Sequence, residues 1–143
     1  MTTPFTAPYT VTIGDINYGR HLGNDRALVI FQEARIRFLE NFGLSEGDIG
    51  DGKGLVVVEA GCRYLREVFL HDELEVGVAI GEVEGKKATF LFEVTRKSDG
   101  QRVLSGFTAI LAFDYALRKV VELPEPFLAA CGQTPSRELG KPS

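Results

Sequence analysis

Apolar positions along this chain keep two rhythms. Between residues 24 and 43, Leu28, Phe31, Arg35, Phe38, Leu39 and Phe42 recur at helical spacing. Asn24 stands where a side chain caps a helix, Asp25 follows in the first turn where the macrodipole favours an anion, and Gly43 follows the last periodic residue. The first half, Ala27-Leu28-Val29-Ile30-Phe31, is apolar around its whole circumference, which predicts a helix wrapped by other elements rather than laid on a surface. Glu33, Arg37, Glu40 and Asn41 restore a polar face further along.

After a loop at residues 43–54, rich in glycine and aspartate, the period falls to two. Val56, Val58, Ala60, Cys62 and Tyr64 share one face of a first strand, and Leu74, Val76, Val78 and Ile80 one face of a second. Ala88, Phe90, Phe92 and Val94 follow, then Val103, Phe107, Ala109, Leu111 and Phe113. Glu84-Gly85 and Asp99-Gly100 read as hairpin turns, the latter as type I′ with positive φ at both central residues. A further strand at residues 9–14 precedes the helix, and Pro124 and Pro126 break the chain before a short C-terminal helix or tail. The expectation is one domain over residues 1–143, ordered at 9–131 and frayed at 132–143: strand, long helix, then four strands in an antiparallel meander curved around the helix. A single helix covers one face of such a sheet, so the other is solvated or meets another subunit.

Composition narrows the function. The 143 residues are 44% hydrophobic and 25% charged, the balance of a globular protein with a core. Sixteen basic against twenty acidic side chains give a net charge of −4, without the footprint of a nucleic-acid binder. The longest apolar runs fall far short of the ~20 residues of a membrane span, and the N-terminus has no signal-peptide pattern. Cys62 and Cys131 have no metal-type spacing and read as thiols in a reducing compartment. A cytoplasmic protein is expected.

Unusual polar residues crowd into Gly14-Asp15-Ile16-Asn17-Tyr18-Gly19-Arg20-His21-Leu22-Gly23-Asn24-Asp25. The glycines allow tight turns, and unpaired N–H groups of the following helix suit a developing oxyanion. His21 belongs to the residue type that titrates near neutral pH. Asp15, Asn17 and Asn24 are equally at home as turn and cap residues.

In their order, these residues resemble the hotdog-fold thioesterases of the 4-hydroxybenzoyl-CoA thioesterase type. The family pattern Asp-x-Asp-x-x-Gly-His-Val-Asn-Asn, followed by a helix carrying Phe-Glu-x-Ala-Arg, is matched by Asp15-Ile16-Asn17-Tyr18-Gly19-Arg20-His21-Leu22-Gly23-Asn24 and Phe31-Gln32-Glu33-Ala34-Arg35. Tyr64-Leu65-Arg66 and His71-Asp72-Glu73-Leu74 are similar to the later Tyr-Leu-Arg-Pro and Gly-Asp-Glu-Leu segments. The resemblance implies an α+β hotdog fold, one long central helix wrapped by a curved antiparallel sheet of five or six strands. It implies a homodimer or homotetramer, with sites between protomers, that hydrolyses acyl-CoA without metal or organic cofactor. A non-catalytic module binding acyl-CoA or acyl-carrier protein on the same scaffold is the alternative.

The resemblance also distributes roles. Asn17 stands where many members carry a catalytic aspartate, and an amide cannot take a proton from water. It is left to orient a water or the thioester carbonyl, and the base is sought among His21, Asp15, Glu33 and Asp25. His21 matches the family histidine, although Arg20 replaces the usual glycine before it. The Asn24 backbone N–H would polarise the substrate carbonyl. Asp25 reads first as an anion of the first turn. Glu33 lies ~13 Å along the helix, within reach of a partner's loop rather than its own, unless it simply pairs with Arg37. Arg63, Arg66, Lys86 and Lys87 meet CoA phosphates or merely solubilise the surface, and Cys62 reads as a buried, inert thiol.

Overall fold

The computed structural model describes residues 5–132. The elements in chain order are β1 (Phe5–Thr10), a 3₁₀ turn (Ile13–Asp15), α1 (Arg26–Glu40), β2 (Gly54–Tyr64), β3 (Glu73–Glu84), β4 (Lys87–Arg96), β5 (Arg102–Asp114), β6 (Lys119–Val121) and α2 (Glu125–Cys131). The six strands form one antiparallel sheet in the order β1-β3-β4-β5-β2, with β6 also on β5. Residues 133–143, expected to fray, lie outside the described range.

The sheet bends because its ladders slip. Register shifts fall between Val57 and Glu59, Ile80 and Val83, and Val94 and Thr95, and each extra residue kinks its strand and adds twist. α1 lies in the concavity. Phe31 stacks on Phe92 with centroids 4.6 Å apart, and Phe38 meets Phe90 edge-on at 5.6 Å. All four rings are fully buried, each worth about 2–3 kcal/mol of burial and about 1 kcal/mol more per pair. Gly106 lets the helix come this close, since a β-carbon there would stand 2.5 Å from the Phe31 ring and 2.3 Å from the Gly61 carbonyl oxygen.

Several expectations are corrected. β1 occupies Phe5–Thr10 instead of residues 9–14, and the chain beyond it tightens into the 3₁₀ turn. β2 does not start a meander: the connection at residues 65–72 is too long for a hairpin, and β2 pairs with β5 at the far edge from β1. The bulge at Val58 reverses the facing of β2, so Val56 opposes Leu111 on the outer face while Ala60, Cys62 and Tyr64 share the inner one. In β5 the buried inner positions are Leu104, Thr108, Ile110 and Ala112; Phe107, Leu111 and Phe113 lie half-buried outside. Gly100 alone has positive φ in the Asp99-Gly100 turn, which joins β4 and β5 through a longer loop than a type I′ hairpin has. The start of α1 is not wholly enclosed either: Ala27, Ile30 and Phe31 are buried, while Leu28 is exposed. No described helix is long and apolar enough to cross a membrane.

Candidate active site

The loop before α1 is built on one buried carboxylate. Asp15 is 1% exposed. It accepts hydrogen bonds from the Tyr9 hydroxyl at 2.9 and 3.0 Å, the Thr12 N–H at 2.9 Å and the Thr12 hydroxyl at 3.2 Å, and pairs with Arg26 Nε at 3.2 Å. Its carbonyl accepts from the Gly23 N–H at 2.9 Å. Burial alone would raise its carboxyl; the hydrogen bonds from Thr12, Tyr9 and Arg26 outweigh that and hold it below the usual range. Burial, reinforced by the neighbouring carboxylate, pushes the Tyr9 phenol up to about 12. One side chain thus ties β1, the 3₁₀ turn and the first residue of α1 together.

From this anchor the loop folds back on itself. Ile16 and Leu22 form a bridge, the Asn17 N–H donates to the His21 carbonyl at 2.9 Å, and the Arg20 N–H donates to the Asn17 carbonyl at 3.0 Å. Asn17 and His21 therefore sit opposite one another across a turn. Asn17 Oδ1 accepts from the Gly19 N–H at 2.9 Å, which leaves the amide's NH₂ group free to donate outward. His21 Nδ1 lies 3.2 Å from the Leu22 carbonyl. A carbonyl only accepts, so Nδ1 carries the proton and the Nε2 lone pair of the neutral ring is left available. Arg20, at the family's glycine position, has φ +68, the left-handed region that glycine enters without strain.

α1 opens beside this turn. A β-carbon on Gly23 would meet Asn17 Cβ at 3.6 Å and Asp25 Oδ1 at 3.0 Å. Asp25, not Asn24, holds the N-cap position, and it caps nothing: its backbone is already helical (φ −76, ψ −20), which keeps the side chain from swinging back to the first N–H groups. The Gly23 carbonyl accepts the Arg26 N–H at 3.0 Å. Across a planar trans peptide the Asn24 N–H then points the other way, out of the helix.

A cleft of about 260 Å³ lies in front, lined by His21, Leu22, Asn24, Tyr64, Leu65, Arg66, Glu67, Val68 and Leu104. Its far wall is the connection after β2, held to the loop by the Leu22 N–H on the Val68 carbonyl at 2.8 Å. The Tyr64 phenol crosses to donate to the Asn24 carbonyl. Sequence reasoning had not placed Tyr64 here; its one signal was the Tyr-Leu-Arg similarity. Arg66 lines the cleft, while Arg63 points to the outer face of β2. Glu33 stands apart, paired with Arg37 at 3.1 Å. Cys62 is half-buried, its thiol pushed up to about 11 by burial, far from the thiolate range of a nucleophile.

This fold is that of a known class. The chain superposes on a 1,4-dihydroxy-2-naphthoyl-CoA thioesterase from Synechocystis with a TM-score of 0.82 at 22% identity, covering 91% of this chain and 96% of that one. On a hypothetical protein from Staphylococcus aureus, solved in complex with CoA, the TM-score is 0.84 at 23% identity over 99% and 90% of the two chains. A gentisyl-coenzyme A thioesterase gives 0.79 at 19% identity over 89% and 99%. The architecture is the hotdog fold. Residues 11–131 match the model of the thioesterase-like superfamily, and the chain belongs to that family. No curated protein matches it.

Proposed function

We propose that this protein hydrolyses acyl-CoA to the free acid and CoA, with a water activated at the Asn17–His21 turn. The reading is carried by one arrangement: a histidine with a free ring nitrogen and an outward-pointing helix N–H both line one cleft, and the Asn17 amide lies across the turn from that histidine. The acyl carbonyl takes its hydrogen bond from the Asn24 N–H, where the positive end of α1 stabilises the oxyanion. Asn17 donates to the water or the carbonyl. His21 Nε2 removes the water's proton as its oxygen attacks the carbonyl carbon, and hands that proton to the CoA sulfur as the carbon–sulfur bond breaks, so the free acid and the CoA thiol leave. Asp15 gives up the base role, because its oxygens are spent on the loop's own donors; Asp25 contributes charge at the helix start, and Glu33 serves α1 through Arg37.

Relatives of this fold support CoA as the carrier: one is solved with CoA bound and two are named for aromatic acyl-CoA substrates. A homodimer accords with β2, an eleven-residue edge strand with Val57 and Val58 exposed along it. Pairing two such edges would close both sheets and bring a second protomer to the cleft. Thiol release measured across short, long and aromatic acyl-CoAs, with mass by light scattering, tests the whole reading; turnover of none of them overturns it. Asn17 favours one second reading, an acyl-CoA or acyl-carrier-protein binding module, which thermal stabilisation by ligand without product would establish instead.

A further inference from the structure

We propose that Tyr64 is a positioning residue of this site, its phenol fixing the Asn24 backbone so that the Asn24 N–H meets the substrate carbonyl. The inference rests on the thioesterase reading and adds to it a residue from the opposite edge of the cleft. Asn24 lies between two peptide planes. The plane before it is held by the Gly23 carbonyl, which accepts the Arg26 N–H. The plane after it is held by its own carbonyl, which accepts from Tyr64. With both planes anchored, φ and ψ of Asn24 have nowhere to turn, and the direction of its N–H is set before substrate arrives.

Nothing else does this work among the described residues. Asn24 is exposed, precedes α1 and has no side-chain hydrogen bond to the helix. Without the phenol its carbonyl would face water, and the residue would become a hinge between the loop and α1. Tyr64 reaches it from the last position of β2, where it pairs with Leu104 and follows Cys62 on the same inner face. Burial raises the Tyr64 phenol above its ordinary range, and the adjacent Cys62 thiol adds to this, so the donor keeps its proton. The bulge at Val58 has a consequence at this point: without it, Tyr64 would stand on the outer face of the sheet, away from the helix.

Tyr64→Phe removes the hydroxyl and leaves the ring. In the full chain, with an acyl-CoA the parent turns over, kcat is expected to fall about tenfold with KM within about twofold, a fraction of the 10²–10³ that outright loss of an oxyanion donor costs. The melting temperature is expected to stay within about 2 °C. An unchanged kcat, or a loss confined to KM, overturns the proposal. A second readout does not depend on turnover: ¹⁵N–¹H spectra and relaxation of parent and variant should show the Asp25 amide shifting, because its peptide carbonyl has lost a donor, and the backbone order parameters of Asn24 and Asp25 falling. Unmoved amides overturn the tether. A parent inert towards every acyl-CoA sinks the thioesterase reading, and the amide shifts then decide the tether by themselves.

Discussion

Asn17 and His21 converge on one point above Gly19. The place a β-carbon of Gly19 would occupy lies 3.1 Å from His21 Nε2 and 3.4 Å from Asn17 Oδ1. Glycine keeps that space free of a side chain, and an alanine methyl there would crowd the approach of the attacking water to His21 Nε2 in the proposed reaction. Gly19 has no positive φ, so alanine fits the backbone, and the crowded neighbours need yield only a few tenths of an ångström. Gly19→Ala is expected to change stability by less than about 0.5 kcal/mol while lowering kcat at least about tenfold. Thermal melts and thiol release on the same preparations check this; full activity would move the water elsewhere.

His21 and Asn17 are separable by pH. His21→Ala removes the proposed base and is expected to lower kcat by about 10²-fold. The residual rate should be what the Asn24 N–H supplies without a base. Asn17→Asp keeps an oxygen for the Gly19 N–H, so the turn survives, and puts a carboxylate beside the helix start. In the His21→Ala background that carboxylate is expected to restore part of kcat, with an acid limb below about pH 5, in the carboxylate range. Asn17→Ala restores nothing. Rate profiles from pH 4 to 9 on the three variants decide it.

How much of this was legible in the sequence follows from the range of the forces involved. The central helix, the two-residue hairpin at Gly85 and the turns of the loop before α1 were visible because periodicity and turn chemistry are local. The facing of β2 was not, because a bulge at Val58 is invisible to strict alternation and reverses every residue before it. That Phe107, Leu111 and Phe113 share the outer face was hidden in a similar way: alternation is seen, but which face is inner depends on partners far along the chain. In the loop, Asp15 read as either a candidate base or a turn residue, and its surroundings were not legible. Its four donors come from Tyr9, Thr12 and Arg26, and only the fold brings these to one carboxylate. Tyr64 meets Asn24 across forty residues of sequence, beyond what spacing can report.

The Asp15 anchor makes acid stability testable. Its folded carboxyl titrates below the unfolded value of about 3.9. A depressed folded value contributes stability that is complete above the unfolded pKa and is lost as pH falls from there through the folded one. Asp15→Asn turns a donor towards the Thr12 N–H and leaves Arg26 without its charge partner, which is expected to cost about 2–3 kcal/mol at pH 7. The difference between parent and variant should shrink as pH drops below about 4. Urea unfolding at pH 7, 5, 4 and 3 measures it; a difference constant down to pH 3 would assign the carboxylate no ionic part in holding the loop.

The close approach of α1 to the sheet rests on a missing side chain. At Gly106 a β-carbon would collide with a backbone oxygen, that of Gly61 at 2.3 Å, and with the Phe31 ring at 2.5 Å. The ring can tilt, but it is stacked on Phe92 within a filled core, and the carbonyl can retreat only if β2 separates from β5. Gly106→Ala is therefore expected to destabilise the protein by about 3 kcal/mol, the upper end for an overpacked core. Because β2 carries Tyr64, the strain should also reach the Asn24 end of the cleft. Phe31→Leu in the same chain relieves the ring contact but not the carbonyl one. It should recover only a minor part of the lost stability; full recovery in urea unfolding would mean that the ring, not the Gly61 carbonyl, forbids a side chain at this position.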